Sequence, residues 1–278
     1  MEYVTVQDEE IPKIGLGTWR LTDEDCRQAV VTALNLGYRH IDTAQAYGNE
    51  RQVGDAIRTS ETDRDEIFLT TKLSRLNFAH DDVLRSTEES LAKLGTDYID
   101  LLLIHWPTDQ IPIRGTPLTE TLDAMNELVD REKVRHIGVS NFDLDRLDEA
   151  RQHSDAPILT DQVQYHPFWD QTRLLDYCEI HDVMLTAYSP LGHGGALDDE
   201  LLADIGERYG KTSAQVALRW LVQQDMVSTI PKATSREHLE ANLAVFDFEL
   251  SAEEMDSIGR PSKLRTLSGF VRSRIPGM

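Results

Sequence analysis

The sequence has few cysteines and no long apolar run, the features that are typical of secreted and membrane proteins. Only two of its 278 residues are cysteines, and Cys26 and Cys178 lie far apart inside segments of helical period, so no disulfide framework or metal site is expected. No run of about 18 apolar residues occurs, and the first residues, MEYVTVQDEE, have neither the basic start nor the apolar stretch of a signal peptide. We therefore expect a cytoplasmic protein with no membrane partner.

Lysine is also scarce. Seven of the 28 basic residues are Lys and 21 are Arg, against 49 acidic residues. The net charge of −21 repels phosphate backbones, so nucleic acid is not an expected ligand. The acidic residues occur in short clusters along the whole chain rather than in one tail. Such a surface favours adaptation to high salt (a halophilic protein), where screening removes self-repulsion, over ordinary solubility alone.

Short apolar strands alternate along the chain with longer segments of helical period. An N-terminal β-hairpin is predicted from Tyr3–Val6 and Ile11–Ile14, with its turn at Gln7–Glu10. Eight further strands end near Gly17, Asp42, Lys72, His105, Ser140, Tyr165, Ser189 and Pro231. The predicted helices are Asp23–Leu36, Glu50–Thr59, Asp81–Leu94, Thr119–Arg131, Asp143–Gln152, Thr172–His181, Glu200–Tyr209, Ser213–Gln223 and Arg236–Val245. Eight such units without a linker favour one α/β domain over residues 1–278, a (β/α)8 TIM barrel, rather than a doubly wound sheet.

Capping residues mark several of the helix ends. Thr22 and Ser235 are predicted N-caps, and Gly37, Gly95 and Gly210 are predicted to stop helices. The long interval between the last two strands leaves room for an additional helix.

Polar residues end three neighbouring strands, at the face where barrel enzymes place their chemistry. Asp42 ends the second barrel strand, Lys72 the third and His105 the fourth, and Tyr47 lies in the loop five residues after Asp42. Each alone has an ordinary explanation: a turn cap, a snorkelling amine, a buried imidazole or a core ring. Together they predict a site, because a Lys that closes an apolar buried strand needs a carboxylate partner, and Asp42 is on the neighbouring strand.

These four side chains suit proton transfer to a carbonyl oxygen. A free phenol has a pKa of about 10, and we expect the Lys72 cation to lower that of Tyr47. Asp42 would keep Lys72 charged, and His105 would orient the carbonyl. Either a hydride donor or a Schiff base on Lys72 could complete the chemistry; the Schiff base of a class I aldolase needs a neutral amine, which Asp42 opposes.

Ordered motifs along almost the whole chain resemble the aldo-keto reductase family. They are Gly15–Trp19, Gly37–Ala44, Tyr47–Glu50, Lys72, Leu103–Pro107, Gly138–Phe142, Gln162 with Tyr165–Pro167, Tyr188–Gly192 and Ile230–Lys232. The resemblance implies an NAD(P)H-dependent reductase of aldehydes and ketones, in which Asp42, Tyr47, Lys72 and His105 form the catalytic tetrad and Tyr47 donates the proton.

The resemblance also implies cofactor and substrate contacts. Ser140, Asn141 and Gln162 would hydrogen-bond the nicotinamide carboxamide, Tyr188 would stack on its ring, and Ser189 and Leu191 would line the pyrophosphate path. The remaining implied cofactor residues are Gly17, Thr18, Asp42, Lys232, Arg236, His238 and Asn242. The residues implied around the substrate carbonyl are Trp19, Tyr47, His105 and Trp106.

Several positions depart from the family pattern. The family usually has Ser or Thr after Lys232, and Arg six residues after it; this chain has Ala233 and His238. Recognition of the adenosine 2′-phosphate is thereby weakened, so we expect NADPH to be preferred by a small ratio and NADH to be accepted. Asp161 replaces a common Asn before Gln162.

A second class of function, besides the reductase, has to be considered. Some relatives of this family serve mainly as partners of membrane channels, so the alternative is a nicotinamide-binding regulatory subunit with little turnover. The complete tetrad and the lack of an added N-terminal segment favour the enzyme. The short, polar loop Thr108–Pro117 predicts a roomy mouth, and the expected partner is a small carbonyl substrate.

Overall fold

The computed structural model describes residues 1–107 and 115–259. It begins with an antiparallel hairpin of β1 (Tyr3–Val6) and β2 (Glu9–Pro12). The hairpin is present as predicted, but β2 starts two residues earlier, because Gln7 and Asp8 both adopt positive φ angles of 50° and 63° and form a tight two-residue turn. Gln7 donates through Nε2 to the carbonyls of Ile158 and Asp182, which places the hairpin at the amino-terminal ends of the barrel strands.

In the described part of the chain, eight parallel strands form the barrel. They are β3 (Leu16–Gly17), β4 (His40–Asp42), β5 (Phe68–Leu73), β6 (Ile99–Ile104), β7 (Val134–Ser140), β8 (Ile158–Gln164), β9 (Met184–Tyr188) and β10 (Val227–Thr229). Neighbours in the sheet follow chain order from β3 to β10. The first and last strands meet through a parallel bridge between Ile14 and Thr229 and a 2.8 Å bond from the Gly15 amide to the Thr229 carbonyl. The predicted (β/α)8 fold is confirmed.

Ten helices surround the strands in residues 1–107 and 115–259. They are α1 (Asp23–Asn35), α2 (Glu50–Thr59), α3 (His80–Leu94), α4 (Leu118–Asp130), α5 (Leu144–His153), α6 (Thr172–Ile180), α7 (Glu200–Tyr209), α8 (Ser213–Val222), α9 (Arg236–Leu243) and α10 (Ala252–Gly259). The nine predicted helices are all found, with ends within about two residues, and α7 and α8 fill the long interval before β10. In the described ranges, none of the helices combines the length and hydropathy needed to span a bilayer.

The ends of the helices follow the predicted caps with one exception. Ser235 accepts a bond from the His238 amide at the start of α9, and Gly95 and Gly210 end α3 and α7 with φ angles of 65° and 64°. Thr22 lies at the cap position of α1, but its side chain makes no capping bond, so the N-cap role expected for it is wrong. The following residue, Asp23, has a φ of 47°, outside the geometry that a capping bond requires.

Helix α10 was not predicted. Its start carries a reciprocal capping arrangement, in which the Ser251 amide donates to the Glu254 carboxylate and the Glu254 amide donates to the Ser251 hydroxyl. The spacing S-x-x-E is a recognisable start signal, and it could have revealed this helix.

Close packing of the helix layer depends on a small residue in α2. A Cβ added at Gly54 would lie 2.3 Å from the backbone oxygen of Leu94 in α3. The two helices therefore cross at a distance that only glycine permits.

Candidate active site

The carboxyl ends of β4, β5 and β6 bring the four predicted side chains together. Asp42 is the last residue of β4, Lys72 lies in β5, and His105 follows β6. Tyr47 ends a short 3-10 helix, Gln45–Tyr47, which stops at Gly48, a residue with a φ of 72°. The three strands are neighbours in the sheet, so all four residues reach one end of the barrel.

An ion pair with no solvent access lies at the centre of this cluster. Lys72 Nζ donates to Asp42 Oδ1 at 2.6 Å, to the Thr43 carbonyl at 2.8 Å and to the Tyr47 hydroxyl at 3.4 Å. The second carboxylate oxygen of Asp42 accepts from Gln162 Nε2 at 2.8 Å. The buried charges are thus paired and also hydrogen-bonded, which a buried ion pair requires.

Lys72 stays protonated in this setting. Burial disfavours its charged form, but Asp42 and Tyr47 outweigh that effect, and the pKa of Lys72 is raised. A Schiff base needs the free amine as nucleophile. The aldolase alternative therefore has no support in this geometry.

Tyr47 differs from the expectation drawn from its neighbours. Burial raises the pKa of its phenol, and the opposing effect of Lys72 does not offset it. The expected lowering of this pKa is therefore wrong, because the degree of burial outweighs one adjacent cation. Tyr47 keeps its proton near neutral pH, which is the state that a proton donor needs.

His105 lies beside Tyr47 as a neutral imidazole. Its ring centroid is 5.7 Å from that of Tyr47, at an interplanar angle of 76°. Burial, with the nearby charges of Lys72 and Arg75, lowers the pKa of His105 to about 3. A neutral ring offers one N–H donor, so His105 can hydrogen-bond a carbonyl oxygen next to the Tyr47 hydroxyl.

A second polar group adjoins the cluster at the ends of β7, β8 and β9. Asn141 Nδ2 donates to the His105 carbonyl at 3.1 Å and to the Ser140 hydroxyl at 3.0 Å, and its Oδ1 accepts from the Tyr188 hydroxyl at 2.7 Å. The Ser140 hydroxyl donates to the Gln162 carbonyl at 2.7 Å. Through Gln162 this network is continuous with Asp42.

This polar group fits a nicotinamide carboxamide. Hydroxyl and amide groups supply both donors and acceptors at adjacent positions, as a primary amide ligand requires. Asn141 holds a φ of 62°, in the left-handed region that asparagine adopts more readily than most residues. Tyr188 adds a flat ring beside them. The cofactor residues implied at this end are therefore brought together.

Gly17 and Thr18 have structural roles in the same region. A Cβ at Gly17 would lie 2.6 Å from the Ile230 carbonyl oxygen, so the contact of β3 with the segment after β10 requires glycine. The Thr18 hydroxyl donates to the Asp42 carbonyl at 2.9 Å. Both residues hold the strand end that carries Asp42.

The residues implied around the cofactor's phosphates lie on two other segments. Ser189, with a φ of 49°, and Leu191 follow β9 in a turn closed by a 2.9 Å bond from the Gly192 amide to the Ser189 carbonyl. Lys232 is exposed after β10, and Arg236 and His238 are exposed in the first turn of α9.

Two of these phosphate-side residues are constrained by neighbours. The Arg236 guanidinium pairs with Glu240 at 3.0 Å, which reduces the charge it offers to a ligand. Asn242 is buried in α9 near the phenol of Tyr38, whose hydroxyl donates to the Leu239 carbonyl at 3.0 Å, so it contributes to the helix layer.

The residues implied around the substrate carbonyl form the mouth of the site. Trp106 stacks on His105 with a centroid distance of 6.4 Å and an angle of 29°. Trp19 follows Thr18 and is exposed. The part of the loop Thr108–Pro117 from 108 to 114, on which the expected roomy mouth depends, lies outside the described residues.

Asn49 is a buried residue of the site for which no role was predicted. Its Nδ2 donates to the carbonyls of Thr18 and Leu21, both at 2.9 Å, and its Oδ1 accepts from the Thr43 hydroxyl at 2.7 Å. The Thr43 carbonyl in turn accepts from Lys72. Asn49 therefore ties the loops after β3 and β4 together. It stands in the motif Tyr47–Glu50, which was the signal available.

Known proteins resemble this chain over most of its length. A family model described as "Aldo/keto reductase family" matches residues 13–260. The chain is 38% identical over 271 residues to a 9,11-endoperoxide prostaglandin H2 reductase of Trypanosoma cruzi, covering 96% of this chain and 93% of that protein. It is 40% identical over 249 residues to methylglyoxal reductase DkgB of Salmonella typhi, covering 89% and 92%.

A solved structure shows the same architecture. The aldose reductase of Schistosoma japonicum superposes with a TM-score of 0.87 at 34% identity, covering 97% of each chain. The chain therefore belongs to the aldo/keto reductase family and is an NAD(P)H-dependent oxidoreductase that reduces aldehydes or ketones.

Proposed function

We propose that Tyr47 protonates the carbonyl oxygen of the substrate while the carbonyl is held between its hydroxyl and His105. The observation that carries this proposal is the buried chain of hydrogen bonds from Asp42 through Lys72 to Tyr47, beside a neutral imidazole. NAD(P)H, when bound, supplies the hydride that reduces the carbonyl carbon.

The charges of the site suit the loss of a proton from Tyr47. As the proton moves to the substrate, negative charge develops on the phenol oxygen, 3.4 Å from the Lys72 ammonium. Because that ammonium is already in place, it needs no reorganisation to stabilise the phenolate. Asp42 balances Lys72 before the transfer and holds it in position, so Asp42 acts as a positioning residue. His105 donates its N–H to the carbonyl oxygen and aims it at Tyr47.

The cofactor would be held by Ser140, Asn141, Gln162 and Tyr188 at its nicotinamide end. Gln162 also fixes Asp42, so binding of the carboxamide and placement of the ion pair involve the same side chain. Ser189 and Leu191 would follow the pyrophosphate. No metal is needed in this scheme.

We propose a modest preference for NADPH over NADH. Lys232 and Arg236 offer two cations for the 2′-phosphate, but Arg236 is already paired with Glu240. Ala233 has no side-chain donor, and His238 lacks the bidentate fork with which an arginine would bind the phosphate. NADPH is the expected cofactor, and NADH should support turnover as well.

We also propose that the whole chain works as one oxidoreductase domain in the cytoplasm of a salt-adapted cell. Support comes from its net charge of −21, its few lysines and two free, buried cysteines, Cys26 and Cys178. Burial raises the pKa of the Cys26 thiol to about 11, so this thiol is unreactive at neutral pH.

The substitution Tyr47→Phe tests the proposed function. The wild type should oxidise NADPH when an aldehyde such as methylglyoxal is added. The variant should lose at least about a hundredfold in kcat, the usual effect of removing a general acid, while NADPH affinity measured by fluorescence titration changes little. Tyr3→Phe, at an exposed tyrosine of the hairpin, is the matched control.

Two results would contradict the proposal. Near-normal turnover by the Tyr47→Phe variant would remove Tyr47 as the proton donor. A wild type that binds NADPH but reduces none of a panel of sugars, dicarbonyls and aromatic aldehydes would instead support the regulatory-subunit alternative.

A further inference from the structure

The side-chain amide of Gln45 uses its full hydrogen-bonding capacity. Its Oε1 accepts from the Ser74 amide at 2.8 Å and from Asn77 Nδ2 at 3.0 Å. Its Nε2 donates to the Ser86 carbonyl and to the Ser90 hydroxyl, both at 3.2 Å. A primary amide has two N–H donors and an oxygen with two lone pairs, so these four bonds fill it. The reaction scheme above gives this residue no role.

The partners of this amide belong to elements that adjoin the site. Ser74 and Asn77 lie in the segment after β5, the strand that carries Lys72, and the two serine partners lie in α3. Gln45 begins the 3-10 helix that ends in Tyr47. Gln45 is two residues before Tyr47, and Ser74 is two residues after Lys72. The bond between Gln45 and Ser74 therefore joins the same two pieces of backbone as the contact between the Tyr47 hydroxyl and the Lys72 ammonium.

The direct contact between phenol and ammonium is too long to fix its own geometry. The Tyr47 hydroxyl lies 3.4 Å from Lys72 Nζ, beyond the upper end of about 3.2 Å for ordinary N–H···O bonds. Lys72 is held much more closely by Asp42 at 2.6 Å and by the Thr43 carbonyl at 2.8 Å. The ammonium is thus placed by β4 and its loop, and the position of the phenol depends on the backbone that carries it.

That backbone needs support from outside the turn. A three-residue 3-10 helix has poor hydrogen-bond geometry of its own, here a 3.0 Å bond from the Tyr47 amide to the Ala44 carbonyl. The next residue, Gly48, belongs to the most permissive residue type. Asn49 attaches the far end of the turn to the loop after β3. Gln45 supplies the corresponding attachment at the near end, on the side of β5.

We propose that Gln45 is a positioning residue for the proton donor: its amide fixes the turn to the segment after β5 and thereby sets where the Tyr47 hydroxyl lies relative to Lys72. The inference rests on the proposed function, since it explains how the proton donor of that function is placed. Gln45 takes no part in the proton transfer. Its effect on rate comes from geometry, because a displacement of about 1 Å can cost on the order of a hundredfold in turnover.

The substitution Gln45→Met tests the inference. Methionine has a similar length and lacks the amide that makes the four bonds. The kcat for an aldehyde such as methylglyoxal should fall between about tenfold and a hundredfold. NADPH affinity, measured by fluorescence titration, should stay close to that of the wild type, because the residues proposed to hold the nicotinamide lie on β7, β8 and β9.

The matched control is Gln223→Met. Gln223 is also half-buried and fully engaged: its Nε2 donates to the Leu250 carbonyl at 2.7 Å, and its Oε1 accepts from the Leu250 amide at 2.8 Å and from Arg219 Nε at 3.0 Å. It ends α8 shortly before β10 begins, so it lies away from the carboxyl ends of the strands. This variant should lose a similar free energy of unfolding in urea and keep the wild-type kcat. Equal losses of kcat in the two variants would overturn the inference.

The same substitution in a Tyr47→Phe background separates positioning from a general structural effect. If Gln45 acts through the Tyr47 hydroxyl, adding Gln45→Met to Tyr47→Phe should change the residual kcat little. A loss by the same factor in both backgrounds would overturn the inference and leave the proposed function intact. Near-normal turnover by Tyr47→Phe alone would instead refute the proposed function, and this inference with it.

Asn77→Ala provides a second measurement if Gln45→Met does not fold. Asn77 is half-buried, and its truncation removes one of the two bonds that join Gln45 to the segment after β5. Its kcat should fall severalfold, and this fall should disappear in the Tyr47→Phe background. A folded Asn77→Ala variant with the kcat of the wild type would overturn the inference.

Discussion

Replacing Asp161 with asparagine tests how the barrel accommodates a buried carboxyl group. Asp161 lies in β8 with its side chain fully buried, and neither carboxyl oxygen has a hydrogen-bond partner of normal geometry within the described part of the chain. The amide of Phe142 approaches the carboxyl and favours its charged form, but burial dominates and raises the pKa of Asp161 well above its usual range. Asn is the residue that the family commonly has at this position.

The sign of the effect follows from proton linkage. Because the pKa of this acid is higher in the folded than in the unfolded chain, the folded state retains a proton that the unfolded state releases. Stability from the neutral carboxyl is fully present below the unfolded pKa, about 3.9, and is lost as pH rises toward the folded pKa. One such proton changes the free energy of unfolding by about 1.4 kcal/mol per pH unit.

Urea denaturation of the wild type and Asp161→Asn across the acid-to-neutral range measures this effect. Asparagine cannot ionise, so the stability advantage of the variant should grow by about 1.4 kcal/mol for each pH unit within the window. The difference in unfolding free energy between the two proteins at each pH cancels the contribution of the other acids. Asp145→Asn, at an exposed acid of α5, is the control and should show no such divergence. Parallel stability curves for the wild type and the Asp161 variant would refute the reasoning.

Three further predictions follow from the fold and the surface charge. His238→Arg should enlarge the ratio of kcat/KM for NADPH over NADH at neutral pH, because arginine binds phosphate as a permanent, bidentate cation; an unchanged ratio would remove His238 from the 2′-phosphate site. The melting temperature should rise from low to molar NaCl as screening reduces repulsion among the acidic residues, and a flat or falling value would contradict salt adaptation. Gly54→Ala should lower the free energy of unfolding, measured by urea titration, by about 1–3 kcal/mol, because the new Cβ would overlap the Leu94 backbone. Helix propensity alone predicts the opposite, a stabilised variant. A stabilised variant would show that α2 can shift away from α3 to make room for the Cβ.

The barrel and the four clustered side chains could be predicted because they depend on local patterns. Each strand is a short apolar run, and the polar residue that follows it necessarily lies at the carboxyl face of a parallel barrel. Asp42, Lys72 and His105 are found where the strand ends predicted them. The register of the hairpin was not predictable in the same way, since Gln7 is not a residue that typically adopts positive φ in a two-residue turn.

The direction in which the pKa of Tyr47 is shifted could not be predicted from its expected neighbours. A nearby cation lowers the pKa of a phenol and burial raises it, and the balance depends on how much solvent the folded chain excludes. The same limit applies to Asn49, whose role depends on three carbonyl and hydroxyl partners that folding brings together. Long-range partners of this kind leave no periodic signal in the sequence.

The hydrogen bond between Gln162 and Asp42 has a mechanical consequence. In the closed order of eight strands, β4 and β8 lie on opposite sides of the barrel. This 2.8 Å bond therefore connects the two sides across the carboxyl end of the barrel. Asp42 belongs to a strand of only three residues, beside the two-residue strand at which the barrel closes, while Gln162 belongs to a seven-residue strand. The longer strand, β8, therefore helps to fix the position of the shorter strand, β4. Flattening of the barrel would either lengthen or shorten the distance between these two strands, and both changes would displace the carboxylate that holds Lys72.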